Sequence, residues 1–142
     1  MNIRLVGAAL AALLFTASAA SVDFSGQARV IDGDTFSIRQ QRIRIAAIDA
    51  CERDQTGFRN GAIWRCGIEA RRFLASLIDG KHVRCIEVDR DQYKRLVGQC
   101  FVDGSDIGLE MVKAGQASLL LRYLPRSHPI DLDQYRRSHS GN

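Results

Sequence analysis

From residue 28 the chain alternates apolar and polar side chains in short runs, the period of strands with one buried face. Residues 28–31 (ARVI) and 35–39 (TFSIR) predict two strands joined by Asp32-Gly33-Asp34, where Gly33 can supply a positive φ in a tight turn. A third strand, 42–48 (RIRIAAI), alternates Arg with Ile before turning wholly apolar. Residues 53–61 (RDQTGFRNG) are polar and carry two glycines, so they read as a loop. The period then lengthens: Ile63, Cys66, Ala70, Phe73, Leu74 and Leu77 predict a helix over 62–78, closed by Asp79-Gly80. Two further strand-like runs, 82–88 (HVRCIEV) and 96–102 (LVGQCFV), flank the charged connection DRDQYKR and predict a hairpin. Asp106 is placed to cap a short helix over 107–114 that Gly115 ends, and 131–137 (DLDQYRR) predict a last turn or two.

Three strands, a helix, two strands and a helix form the order of an α+β, mostly β domain. The fold expected is a five-stranded OB-fold Greek-key barrel carrying two to three helices. A ferredoxin-like sandwich fits less well, because its first three elements would not all be strands. If the second hairpin is centred between Gln92 and Tyr93, Cys85 lies directly opposite Cys100. Side chains facing each other on antiparallel strands can approach closely enough for a disulfide. That pairing leaves Cys51 to join Cys66, tying the segment after the third strand to the first helix.

The residues ahead of the first strand change the picture. Residues 1–20 carry one Arg near the start, an apolar run and small residues at the end, the pattern of a secretory signal peptide. Its apolar run is too short for a hydrocarbon core of roughly 30 Å. Residues 21–142 are then expected as one exported domain, in the periplasm or the medium, without a membrane anchor and as a monomer. An oxidising compartment also suits an even number of cysteines joined as disulfides. The 20 basic and 16 acidic residues of the whole chain become 19 and 16 once Arg4 is removed with the leader, a net charge of +3. That balance is compatible with a polyanionic partner without requiring one.

The chemistry gathers around one strand. Asp32 and Asp34 precede the second strand and Asp49 and Glu52 follow the third, so a tight connection between those strands makes the two acidic pairs neighbours. Carboxylates crowded together repel unless a cation sits among them, and hard divalent ions such as Ca²⁺ take oxygen ligands. Arg44 lies on the same strand, yet strict alternation puts Asp49 on the opposite face unless the strand end twists or bulges. In DRDQYKR, Arg90, Lys94 and Arg95 surround Tyr93, a combination able to fork a phosphate and support a base or sugar.

Together these stretches resemble the secreted thermonucleases of the staphylococcal nuclease family. The matching residues are Ile31-Asp32-Gly33-Asp34-Thr35, Arg44 through Glu52 (RIAAIDACE), Asp91-Gln92-Tyr93-Lys94-Arg95, and the Leu109-Val112-Gly115-Ala117 pattern of the second helix. The resemblance implies a Ca²⁺-dependent nuclease cutting DNA and RNA at the bond to the 5′ oxygen. Asp34, Asp49 and the backbone carbonyl of Ala50 would hold the ion, with Asp32 behind them. Glu52 would act as general base or orient water, Arg44 and Arg95 would clamp phosphate, and Tyr93, Lys94 and Tyr123 would contact the nucleotide. The chain departs from the family pattern at Ala50-Cys51, where Thr-Pro is usual, at Lys94 for Gly, and at Leu121 for a second tyrosine. A module of another class, an OB fold binding single-stranded nucleic acid without cutting it, would share the basic groove but would not call for the carboxylates.

Overall fold

The structure is a computed structural model that describes residues 23–121, 124 and 130–139. The apolar leader and Tyr123 lie outside the described residues. Its elements are β1 (Asp23–Asp32), β2 (Thr35–Ile38), β3 (Gln41–Ile45), β4 (Ile48–Asp49), β5 (Gly57–Arg59), β6 (Ala62–Trp64), α1 (Cys66–Ile78), β7 (His82–Arg90), β8 (Leu96–Val102), β9 (Ser105–Asp106), α2 (Ile107–Lys113), β10 (Ser118–Leu119) and α3 (Leu132–His139). The main sheet runs β3-β2-β1-β7-β8-β9, and a parallel pairing of β3 with β8 closes β1, β2, β3, β7 and β8 into a five-stranded barrel. This is the α+β OB architecture expected from the order of elements, with three helices.

Closure follows from alternation. Ala28, Phe36, Ile38, Ile43, Ile45, Val83 and Leu96 point inward and are buried, while the intervening side chains face outward. Helix α1 covers the barrel with a stripe of buried residues one turn apart, Cys66, Ala70, Leu74 and Ile78. Both disulfides form as the pattern indicated, Cys51 with Cys66 and Cys85 with Cys100. The Cα atoms of the second pair are 4.1 Å apart, close to the narrow pair of an antiparallel ladder.

Three expectations need correction. Residues 57–64 form an exposed β5–β6 hairpin, so α1 begins at Cys66 rather than 62. Its turn, Asn60-Gly61, has positive φ at both residues, as a type I′ connection requires; Ile63 therefore points to solvent at 71 % exposure instead of packing in a helix. Strand three stops at Ile45, and Ala47 takes a φ of 66° before β4 resumes. Finally, Gly33 does not adopt a positive φ; it is required by close approach, because a Cβ there would stand 2.7 Å from Ala70 Cβ on α1 and 3.0 Å from Ala50 Cβ.

The C-terminal helix is fastened through one carboxylate. Asp106 caps α2 by accepting from the Leu109 amide at 3.2 Å, and also accepts from Gln99 Nε2 at 2.8 Å and from the Tyr135 hydroxyl at 2.6 Å. Tyr135 is 1 % exposed, and burial, with the neighbouring Asp106 charge, pushes its phenol well above the usual tyrosine range. Gly108 makes room for it, since a Cβ there would come within 2.5 Å of the Tyr135 hydroxyl.

Candidate active site

The β2–β3 ladder pairs Thr35 with Arg44, and the Ile45 amide donates to the Asp34 carbonyl at 2.9 Å, so the DGD turn lies beside the end of β3. The left-handed turn at Ala47 then reverses the parity of the strand. Asp49, which unbroken alternation would aim away, comes round to the Arg44 side. Arg44 Nη2 lies 3.0 Å from Asp49 Oδ1 and 3.3 Å from Asp34 Oδ2, while Nη1 donates to the carbonyls of Ile48 at 2.9 Å and Ile45 at 3.2 Å. This guanidinium is held by four groups from three successive stretches of chain. Thr35 Oγ1 in turn donates to Asp34 Oδ1 at 2.8 Å, fixing a carboxylate that is only 9 % exposed.

Asp32 stands just outside this group. Its Oδ1 is buried and accepts no hydrogen bond, and Arg53 Nε at 3.4 Å supplies charge without a hydrogen bond. Ala50 is buried against the turn, and Glu52 follows on an exposed segment. That segment is clamped through its backbone: the Glu52 amide donates to Gln55 Oε1 at 3.1 Å, and the Gln55 amide donates back to the Glu52 carbonyl at 2.9 Å. The Gly67 amide donates to the Gln55 carbonyl at 3.2 Å. A Cβ at Gly67 would overlap the Glu52 carbonyl oxygen at 1.8 Å, so only glycine lets α1 press on the acid's backbone. The Cys51–Cys66 bond secures the same contact. The Glu52 carboxylate itself has no ion pair or hydrogen bond among the described residues.

The second arginine sits on the β7–β8 hairpin. Arg95 Nε donates to Asp91 Oδ2 at 2.6 Å, and Asp91 Oδ1 accepts from the backbone amides of Tyr93 and Arg95, each at 2.9 Å. Burial raises the pKa of this carboxyl, but the Arg95 hydrogen bonds and charge, with the Tyr93 amide, outweigh it and hold Asp91 below the usual aspartate range. Asp91 received no role from the sequence, although its spacing of four from Arg95 was visible there. Lys94 has a φ of 60°, a conformation that suits glycine; the turn still forms, and the Lys94 amide donates to the Asp91 carbonyl at 2.9 Å. Tyr93 is 71 % exposed, with Arg95 5.6 Å from its ring centre.

Arg44, Arg95 and Tyr93 line one cleft of about 500 Å³, with Leu120 and Leu124 supplying apolar wall. Neither leucine was singled out in the sequence; Leu120 directly follows β10, which pairs with β4, and its amide donates to the Ala47 carbonyl at 2.7 Å. Glu52 does not line that cleft. Asp34 and Asp49 meet at one guanidinium nitrogen, so their oxygens face a common point. Their hard oxygens suit Ca²⁺ in kind, and the unsatisfied Asp32 oxygen behind them suits an outer role. Among the described residues no three His, Cys, Asp or Glu side chains stand at metal-ligand spacing. Backbone carbonyls such as that of Ala50, and water, would therefore have to complete the coordination of any ion.

The staphylococcal nuclease homologue family matches residues 42–138. The chain is 42 % identical over 118 residues to "Succinoglycan biosynthesis protein ExoI" of Rhizobium meliloti, covering 80 % of this chain and 62 % of that protein. It is 35 % identical over 100 residues to an "Uncharacterized endonuclease" of Escherichia coli O157:H7, covering 67 % and 60 %. To "Probable endonuclease LCL3" of Phaeosphaeria nodorum it is 38 % identical over 84 residues, covering 56 % and 27 %. The chain thus spans about three fifths of the length of the first two relatives.

Proposed function

The chain belongs to the staphylococcal nuclease homologue family, and from that membership we propose that it is a Ca²⁺-dependent nuclease hydrolysing DNA and RNA at the bond to the 5′ oxygen. The observation that carries this reading is the placing of two arginines on one cleft, with converging carboxylates bonded to the first. A phosphodiester between Arg44 and Arg95 would meet two fixed positive charges: the Nη groups of Arg95, whose Nε is bonded to Asp91, and the Arg44 guanidinium, whose Nη groups are engaged by Asp34, Asp49 and the Ile45 and Ile48 carbonyls. Both would offset the charge gained as phosphorus becomes five-coordinate. Glu52 takes the proton of the attacking water, and the departing 5′ oxygen collects its proton from solvent through the open cleft. Asp34, Asp49 and the Ala50 carbonyl are the residues that would hold Ca²⁺, whose chemistry there is to polarise phosphoryl oxygen. Exposed Tyr93 and Lys94 stand where a base and the next phosphate pass.

Because Glu52 lies outside the cleft lining, a second reading is a module that binds single-stranded nucleic acid without cutting it. Digestion of DNA and RNA by the oxidised protein, with Ca²⁺ or with chelator, separates the two. The nuclease reading expects cleavage only with the ion, and a loss of about 10²- to 10³-fold or more in Glu52→Gln. Unchanged cleavage by that variant would refute the role given to Glu52. Export to the periplasm or medium, cleavage of the leader and a monomeric state belong to the same proposal. Among the described residues, no helix is long and apolar enough to cross a membrane.

A further inference from the structure

We propose that the outer face of β1, the β2–β3 turn and the start of β7 is a second binding site for the phosphodiester backbone, distinct from the cleft. Alternation along β1 sends Ser25, Gln27 and Arg29 to solvent while Ala28 enters the core. The ladders carry this face sideways: Arg29 stands opposite Ser37, Ser37 opposite Arg42, and Gln27 opposite His82. Between them is a concavity of about 460 Å³ lined by Ser25, Gly26, Gln27, Arg29, Arg39 and His82. No carboxylate lines it.

Three features mark this face. Arg29, Arg39 and Arg42 have no ion pair among the described residues, a condition shared by Arg65, Arg71 and Arg72, but only on this face do such arginines border a concavity without a carboxylate in its lining. Arg39 has a φ of 55° at the first residue of a two-residue turn, a position that favours glycine. Last, Arg42 and Arg44 share one face of β3, two residues or roughly 6.6 Å apart, a step comparable to that between successive phosphates on an extended strand. A polymer held at Arg44 would reach Arg42, then Arg39 and Arg29. That continuity rests on the nuclease reading; the binding does not.

Anisotropy of a labelled single strand long enough to reach from the cleft to this face, measured with chelator present, tests the site without cleavage. For Arg29→Ala/Arg39→Ala/Arg42→Ala, affinity at low salt should fall at least about tenfold. The slope of log K against log salt should become shallower by about 2, as expected for three lost phosphate contacts on a single strand. With Ca²⁺, cleavage of a dinucleotide-length substrate should stay within about twofold, because such a substrate does not reach beyond the cleft. If the triple variant melts below the wild type, Arg29→Gln/Arg42→Gln serves instead, with a proportionately smaller change of slope. Unaltered affinity and slope overturn the proposal, as does a loss confined to anionic phospholipid vesicles. Salt-dependent binding that the variant loses, in a protein that cleaves nothing under any cation, keeps this site and refutes the nuclease reading.

Discussion

The two disulfides span the same sequence separation, 15 residues, yet they hold different things. Cys85 and Cys100 are fully buried and face each other across a ladder already paired on either side. Cys51 is half buried, and its bond to Cys66 joins an exposed segment to the first residue of α1. In a chain-entropy account, both restrict the unfolded state by about 3 kcal/mol. The difference therefore lies in the folded state: one bond reinforces a barrel that strand pairing also specifies, and the other adds a covalent tie to the few backbone hydrogen bonds that hold the exposed Glu52 segment against α1. Equal closure of the chain can serve stability in one place and geometry in another.

The largest effect should come from Cys85→Ala/Cys100→Ala. Losing the bond and the sulfur packing should lower the melting temperature by on the order of 10 °C, while kcat/KM per folded molecule at 25 °C stays within about twofold; calorimetry and a nuclease assay on one preparation check both. Cys51→Ala/Cys66→Ala should reverse the balance, with a smaller melting shift and a fall in kcat/KM of about 10- to 100-fold, since small displacements of a catalytic group are costly. Equal activity losses in the two variants would remove the distinction. Gly67→Ala, with all four cysteines kept, drives a methyl group into the Glu52 carbonyl and should cost about tenfold in kcat, unaltered by dithiothreitol beyond the effect of that reagent on the wild type. The smallest effect concerns acid. Asp91, at the far end of the Cys85–Cys100 hairpin, titrates below its ordinary value when folded, so the unfolded chain binds that proton first. Its contribution is complete above the unfolded pKa near 3.8 and is lost as pH falls through that value toward the folded one. Denaturant curves at neutral and acid pH should show a steeper loss in the wild type than in Asp91→Asn.

How much of this could be read from the sequence varied with the range of the cause. The Cys85–Cys100 register was legible because alternation and a short charged connection leave few alignments; the bulge between Glu87 and Asp89, which shifts pairing by one residue toward the turn, was not. Asn60-Gly61 is a strong hairpin signal, but apolar spacing from Ile63 into α1 matched a helix too, and only the structure shows the hairpin. The acidic pairs Asp32/Asp34 and Asp49/Glu52 were expected as neighbours from strand pairing. The approach of Asp49 to Arg44, expected only if the strand end twists or bulges, depends on Ala47 adopting a left-handed conformation, which alanine does not announce. Gly33 and Gly67 were likewise opaque as to purpose, since their neighbours come from α1 and from the Glu52 segment, far away along the chain.

The clasp at Asp106 ties the core to the end of the described chain. All five barrel strands are complete by Val102, yet Tyr135 fills a fully buried position and donates to the carboxylate that caps α2. A chain cut before residue 135 would therefore keep every barrel strand while losing one of the largest buried side chains and a hydrogen bond to the cap. The barrel is thus closed by its strands but sealed by a residue that belongs to none of them.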